Sequence, residues 1–186
     1  GGEAVVTLLL ATFTVGIGIG SMLCERMSGK HVEIGLVPFG SIGLTLFGAD
    51  LYFASPAGLA GTTPHALLAL LSIPAIWRVL FDLMMLGVFG GFFIVPMYAL
   101  VQLRSSPEHR ARIIAANNIL NALFMVVGAL GAASLLDAGL TMPALFGLAA
   151  LLNAVVAIYI YGLVPEFLLR FMAWLLVKAV YRLRCE

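Results

Sequence analysis

The run Trp77-Arg78-Val79-Leu80-Phe81-Asp82-Leu83-Met84-Met85-Leu86-Gly87-Val88-Phe89-Gly90-Gly91-Phe92-Phe93-Ile94-Val95-Pro96 decides the fold. Apart from Arg78 and Asp82 it holds only apolar and small residues, and the apolar character runs on to Leu103. A helix needs about 20 such residues to cross the hydrocarbon core of a bilayer, so residues 77–103 are long enough to cross with tilt. Pro96 has no amide hydrogen to donate and is expected to kink the span.

The same pattern repeats on both sides. Upstream, residues 4–23 form a first span that stops at the polar group Glu25-Arg26-Met27-Ser28-Gly29-Lys30-His31, and residues 34–53 form a second that gives way to a Ser/Pro/Gly/Thr stretch with turn chemistry. Residues 65–73 are apolar but too few to cross, and Pro74 interrupts them, so a short interfacial helix is expected. Downstream, spans are expected at 113–136 and 142–164, joined so tightly at Asp137-Ala138-Gly139 that they must be antiparallel neighbours. The chain opens Gly1-Gly2-Glu3 with no initiator Met and no basic flank before the apolar run, which reads as a truncated or processed start without a signal peptide.

The totals agree with five crossings. Of 186 residues 62% are hydrophobic and 10% charged, and the mean hydropathy is +1.11; a soluble domain is about a quarter charged and could not hide this much apolar surface. The fold class expected is an all-α membrane protein with five transmembrane helices and a C-terminal amphipathic helix. A net charge of +1 gives no reason to expect nucleic acid. Cys24 and Cys185 stand far apart in no metal-ligand spacing and read as free thiols. His31, His65 and His109 are isolated in three loops, with no HExxH or GxSxG, so no catalytic residue, metal or cofactor is expected.

Sidedness follows from the bases, which favour short cytoplasmic loops. Arg26 and Lys30 follow the first span, Arg104, Arg110 and Arg112 the third, and Arg170, Lys178, Arg182 and Arg184 the fifth. The alternate loops, 54–76 and 137–141, have no Lys or Arg. The N-terminus is therefore expected outside and the C-terminus in the cytoplasm. Arg78 is the exception. In the tail, Arg170, Trp174, Lys178 and Arg182 recur every four residues on one stripe, the pattern of a helix lying on an anionic leaflet.

Charges and amides inside spans are costly and mark functional candidates. Arg78 and Asp82 are four apart, so guanidinium and carboxylate share one face and are expected to pair, as a structural ion pair or as a gate or headgroup site. Asn117 and Asn121, one turn apart on the fourth span, can bond a polar ligand or a neighbouring helix. Asp50 reads as an interfacial carboxylate and Asn153 as a packing bond. Gly16/Gly20 and Gly87/Gly91 have the spacing that lets helices approach closely.

The loop Arg104-Ser105-Ser106-Pro107-Glu108-His109-Arg110-Ala111-Arg112 with the following Ile113 to Asn121 resembles the segment between the tenth and eleventh helices of lysophospholipid transporters of the major facilitator superfamily. Gly35-Leu36-Val37-Pro38-Phe39-Gly40 and Asp50-Leu51-Tyr52-Phe53 are similar to the branch fused to a lysophosphatidylethanolamine acyltransferase. The resemblance spans nearly the whole chain. It implies that residues 1–164 are helices eight to twelve of a twelve-helix bacterial inner-membrane transporter, without helix seven or the N-terminal half, and that 165–186 is a linker toward an acyltransferase domain whose HxxxxD centre is absent here. Glu25, Arg26 and Lys30 then stand in a degenerate gate loop, with Ser21 and Ser28 in place of its glycines, and Arg110 and Arg112 in its counterpart.

The resemblance also implies that the first, third and fourth spans line the cavity, which raises Arg78, Asp82, Asn117 and Asn121 and lowers Asp50 and Asn153. The function it implies is flipping of a lysophospholipid by alternating access. The alternatives are a membrane anchor that positions a fused acyltransferase, or a transporter half with another small-molecule substrate.

Overall fold

The structure, a computed structural model, describes residues 2–28, 35–54, 71–163 and 165–180, with side chains except at 167, 174 and 177–180. Lys30, His31, His65, Arg182, Arg184, Cys185 and the side chains of Trp174 and Lys178 lie outside this description, as do residues 65–70 of the expected interfacial helix. Six helices follow in order: α1 (Gly2–Ser28), α2 (Leu36–Ala54), α3 (Pro74–Arg104), α4 (Arg110–Asp137), α5 (Met142–Leu163) and α6 (Glu166–Val180). The first five are long and apolar enough to cross a membrane, and among the described residues there is no strand. The chain is an all-α membrane protein with five transmembrane helices.

In hydrocarbon a polar side chain must find its partner within the protein. The α1 hydroxyls do so locally: Thr7, Thr12, Thr14 and Ser21 donate to the carbonyls of Glu3, Leu8, Leu10 and Ile17, each at 2.8 Å. Pro96 is buried within a helix that continues past it.

Small residues decide which helices meet. A Cβ on Gly16 would fall 2.2 Å from the Met84 carbonyl oxygen, one on Gly20 2.1 Å from that of Val88, and one on Gly87 2.3 Å from that of Phe13. α1 and α3 therefore touch backbone to backbone and run parallel. α2 crosses α3 on another side and antiparallel, with Gly40 against the Phe89 and Phe93 backbone and Gly43 under the Phe89 ring. Phe39 meets Phe89 and Phe92 edge-on at 5.2 and 5.4 Å between centroids. Cys24, Leu36, Val88 and Phe92 form the shared core of these three helices, and Cys24 is a free thiol.

The α2–α5 contact is more polar. Gly48 meets Ala150, and Asn153 Nδ2 donates to the Ser41 carbonyl and to Thr45 Oγ1, both at 2.9 Å. The Ser41 hydroxyl shares a 2.5 Å hydrogen bond with the Tyr161 phenol. The packing bond expected of Asn153 is thus present, between α5 and α2.

α4 meets its neighbours near its two connections and through the bond from Asn121 to Tyr98 on α3. Ser105 ends α3, its amide and hydroxyl both bonding the Val101 carbonyl, and Ser106 accepts the amides of His109 and Arg110 as α4 begins. At the other end Gly139, at φ +96°, takes the left-handed conformation that glycine tolerates best. Its amide bonds the Leu136 carbonyl, and that of Leu140 bonds Leu135, which closes a Schellman turn. Along its length α4 buries no residue.

α6 follows Pro165, whose carbonyl accepts the amides of Leu168 and Leu169. Its apolar and polar residues segregate more strongly than in any other helix, and Glu166 pairs with Arg170 at 2.8 Å. The up-and-down order of α1 to α5 gathers Arg26, Arg104, Arg110, Arg112 and Arg170 at one end of the bundle and leaves Arg78 toward the other.

Candidate functional site

Besides the α2–α5 seam, two places in the bundle bring costly polar groups together among the described residues. The first lies toward the end at which α3 begins. Arg78 is four residues from the start of α3, and Asp50 is four residues from the end of the antiparallel α2, so the two reach the same depth. Arg78 Nε donates to Asp50 Oδ2 at 3.1 Å and Nη2 to Asp50 Oδ1, a two-pronged ion pair.

This corrects the expected Arg78–Asp82 pair. Helical spacing permits that pair, but the guanidinium extends sideways to α2 because two parallel bonds to a carboxylate on a neighbouring helix satisfy it better than one bond along its own helix. Asp82 points inward instead, 1% exposed, and its Oδ2 has no hydrogen-bond partner among the described residues. Its carboxyl interacts with that of Asp50 and with Arg78, so two acids face one base. Asp50, which sequence reasoning set aside, is the missing member. Counting depth from the two helix ends would have found it.

The second place is a cleft of about 600 Å³ between α3 and α4. Asn117, Asn121 and Tyr98 line it with Phe93, Met97 and Phe124. Asn121 Nδ2 donates to the Tyr98 hydroxyl at 2.7 Å, and the Asn117 amide faces the same cleft one turn away. The two asparagines on one face line the same cleft, and Asn121 makes the bond to a neighbouring helix that was one of its two readings. Tyr98 was not singled out in the sequence. It looks like any interfacial aromatic until α4 is placed beside it.

Arg78 and Asp82 are not in this cleft, so the four expected cavity residues divide into two sites. Of the gate-loop residues, Glu25, Arg26, Arg110 and Arg112 are exposed at one end of the bundle, and none takes part in the ion pairs among the described residues, which are Arg78–Asp50 and Arg170–Glu166. A third cavity, about 340 Å³ and almost wholly apolar, lies between α2, α5 and α6, lined by residues including Pro38, Ile42, Tyr161, Leu168 and Phe171. Among the described residues no group of His, Cys, Asp and Glu could hold a metal ion.

Five spans with hydrogen-bonding groups collected in interhelical clefts define the class, a polytopic helical membrane protein. The chain matches no family model, no curated protein and no solved structure.

Proposed function

We propose that this chain is part of a transporter that moves a lysophospholipid across the bacterial inner membrane by alternating access. The observation that carries the reading is the α3–α4 cleft. It sets two amides and a phenol beside Phe93, Met97 and Phe124 at membrane depth, the mixed lining that a single-chain amphiphile needs. Amide and hydroxyl donors suit headgroup and glycerol oxygens, while the acyl chain lies along the apolar wall. The absence of any buried residue on α4 supports a larger assembly in which further helices cover it. The collection of bases at one end of the bundle supports a cytoplasmic C-terminus. Acyl transfer, if the natural protein performs it, falls to residues outside this chain.

Uptake of labelled lysophosphatidylethanolamine into proteoliposomes holding the full-length protein tests the reading. Asn121→Ala and Tyr98→Phe are each expected to lower uptake about 10-fold, the effect of one lost hydrogen bond to a charged headgroup. Wild-type kinetics in both variants would remove the cleft from the pathway. Intact acylation without any uptake would favour an anchoring role instead.

A further inference from the structure

We propose that Asp50, Arg78 and Asp82 form a proton-binding site, and that its occupancy decides which of the two carboxylates holds Arg78. The inference rests on charge and geometry at the α2–α3 contact and does not depend on the identity of the transported molecule.

Two carboxylates face one guanidinium, which leaves one negative charge over if both acids are ionised. Asp50 is already satisfied, since both its oxygens are bonded by Arg78. The surplus charge would then fall on Asp82, which is 1% exposed and has an oxygen without a donor among the described residues. An ionised carboxylate in that state is among the costliest groups a protein can bury. A single proton removes the surplus: protonated Asp82 is neutral, and its hydroxyl has the Asp50 carboxylate within reach as acceptor.

From α2 the facing charged group is Asp50, and from α3 itself it is Arg78. From α1, Val5, Leu8 and Leu9 pack around Ile76 and Leu80 at this level. Among the described residues the charged groups that act on Asp82 are Asp50 and Arg78, and those residues include no cluster of three or more His, Cys, Asp or Glu to hold a metal ion in the proton's place.

Arg78 makes the site a switch. With Asp82 protonated, the guanidinium is free to bridge from α3 to Asp50 on α2, as observed. When Asp82 gives up its proton, the new carboxylate stands one helical turn from Arg78, at the spacing where such pairs form along one helix. The guanidinium can then fold back onto α3, and the α2–α3 tie loosens. One proton therefore exchanges an interhelical ion pair for an intrahelical one, which gives a transporter a means of coupling proton entry to helix movement.

The test is infrared difference spectroscopy on the purified full-length protein in nanodiscs, titrated from acid to alkaline buffer. Wild type should show a carboxylic-acid C=O band that persists after the exposed carboxyls have ionised and disappears on further alkaline titration. Asp82→Asn should lack it, and Glu25→Gln should retain it. Asp50→Asn should also lack it although Asp82 is intact, because Arg78 then has only Asp82 to hold and keeps it ionised. Arg78→Gln should show two such bands. Absence of the band in wild type at every pH, or its survival in Asp50→Asn, would overturn the proposal; the second result would mean that burial alone protonates Asp82 and that Arg78 does not exchange. Equal circular dichroism and elution volume confirm that a variant is folded. Should Arg78→Gln or Asp50→Asn not fold, the wild-type titration with Asp82→Asn still decides the site. Loss of lysophospholipid uptake in every arm with these bands intact would reject the transport reading and leave the proton site standing.

Discussion

α3 and α4 are both long helices, of 31 and 28 residues, and are about equally apolar, yet α3 buries eight residues and α4 none. Both contain pairs of glycines. On α3, Gly87 and Gly91 meet the α1 backbone, whereas Gly128 and Gly131 on α4 have nothing within 4 Å of where a Cβ would stand. Hydropathy puts both helices in the bilayer, where lipid tails are as apolar as leucine and burial alone does not draw helices together. What separates them is register. A small residue binds helices only where another backbone lies opposite, and α3 has two such neighbours at the right depth.

The largest expected effect breaks this contrast by one methyl group. Gly20→Ala should cost about 3 kcal/mol of stability, since its Cβ would strike the Val88 backbone rather than a side chain that can move. Unfolding in mixed micelles reads it. Next comes the polar seam that holds α5 to α2. Asn153→Ala should cost about 1 kcal/mol through the bonds to Ser41 and Thr45, while the Thr45 hydroxyl keeps its own bond to the Ser41 carbonyl.

On the α3–α4 side, Asn121→Ala should cost only about 0.6 kcal/mol even as it lowers uptake, and a double-mutant cycle with Tyr98→Phe should return a coupling of that size. The smallest effect belongs to Gly128→Ala, which should shift stability by less than about 1 kcal/mol and in the favourable direction, because alanine is the better helix former and nothing is near enough to clash. A loss comparable to that of Gly20→Ala would mean that the Gly128 face is where a further helix of the proposed assembly packs against α4.

The crossings were legible because hydrophobic length is a local property: residues 77–103 announce a span whatever surrounds them, and the observed α3 extends that range by only a few residues. Gly16/Gly20 and Gly87/Gly91 were legible as contact points because their spacing is also local. The partnership of Arg78 was not. Sequence offers Asp82 one turn away, and only the antiparallel placement of α2 brings Asp50 to the same depth. Tyr98 was missed for the same reason, as its role depends on a helix more than twenty residues further along. Local chemistry reads from one segment, but partners across a helix pair require the pairing to be known.

Gly35 carries a mechanical consequence. A Cβ there would lie 3.1 Å from the Arg170 backbone, so α6 rests against the entrance to α2 as well as hanging from α5 through Pro165. A rod pinned at one point swings freely, whereas one pinned at two transmits torque. Any pull on the chain beyond α6 is thereby felt at the base of α2, the helix whose far end holds Asp50.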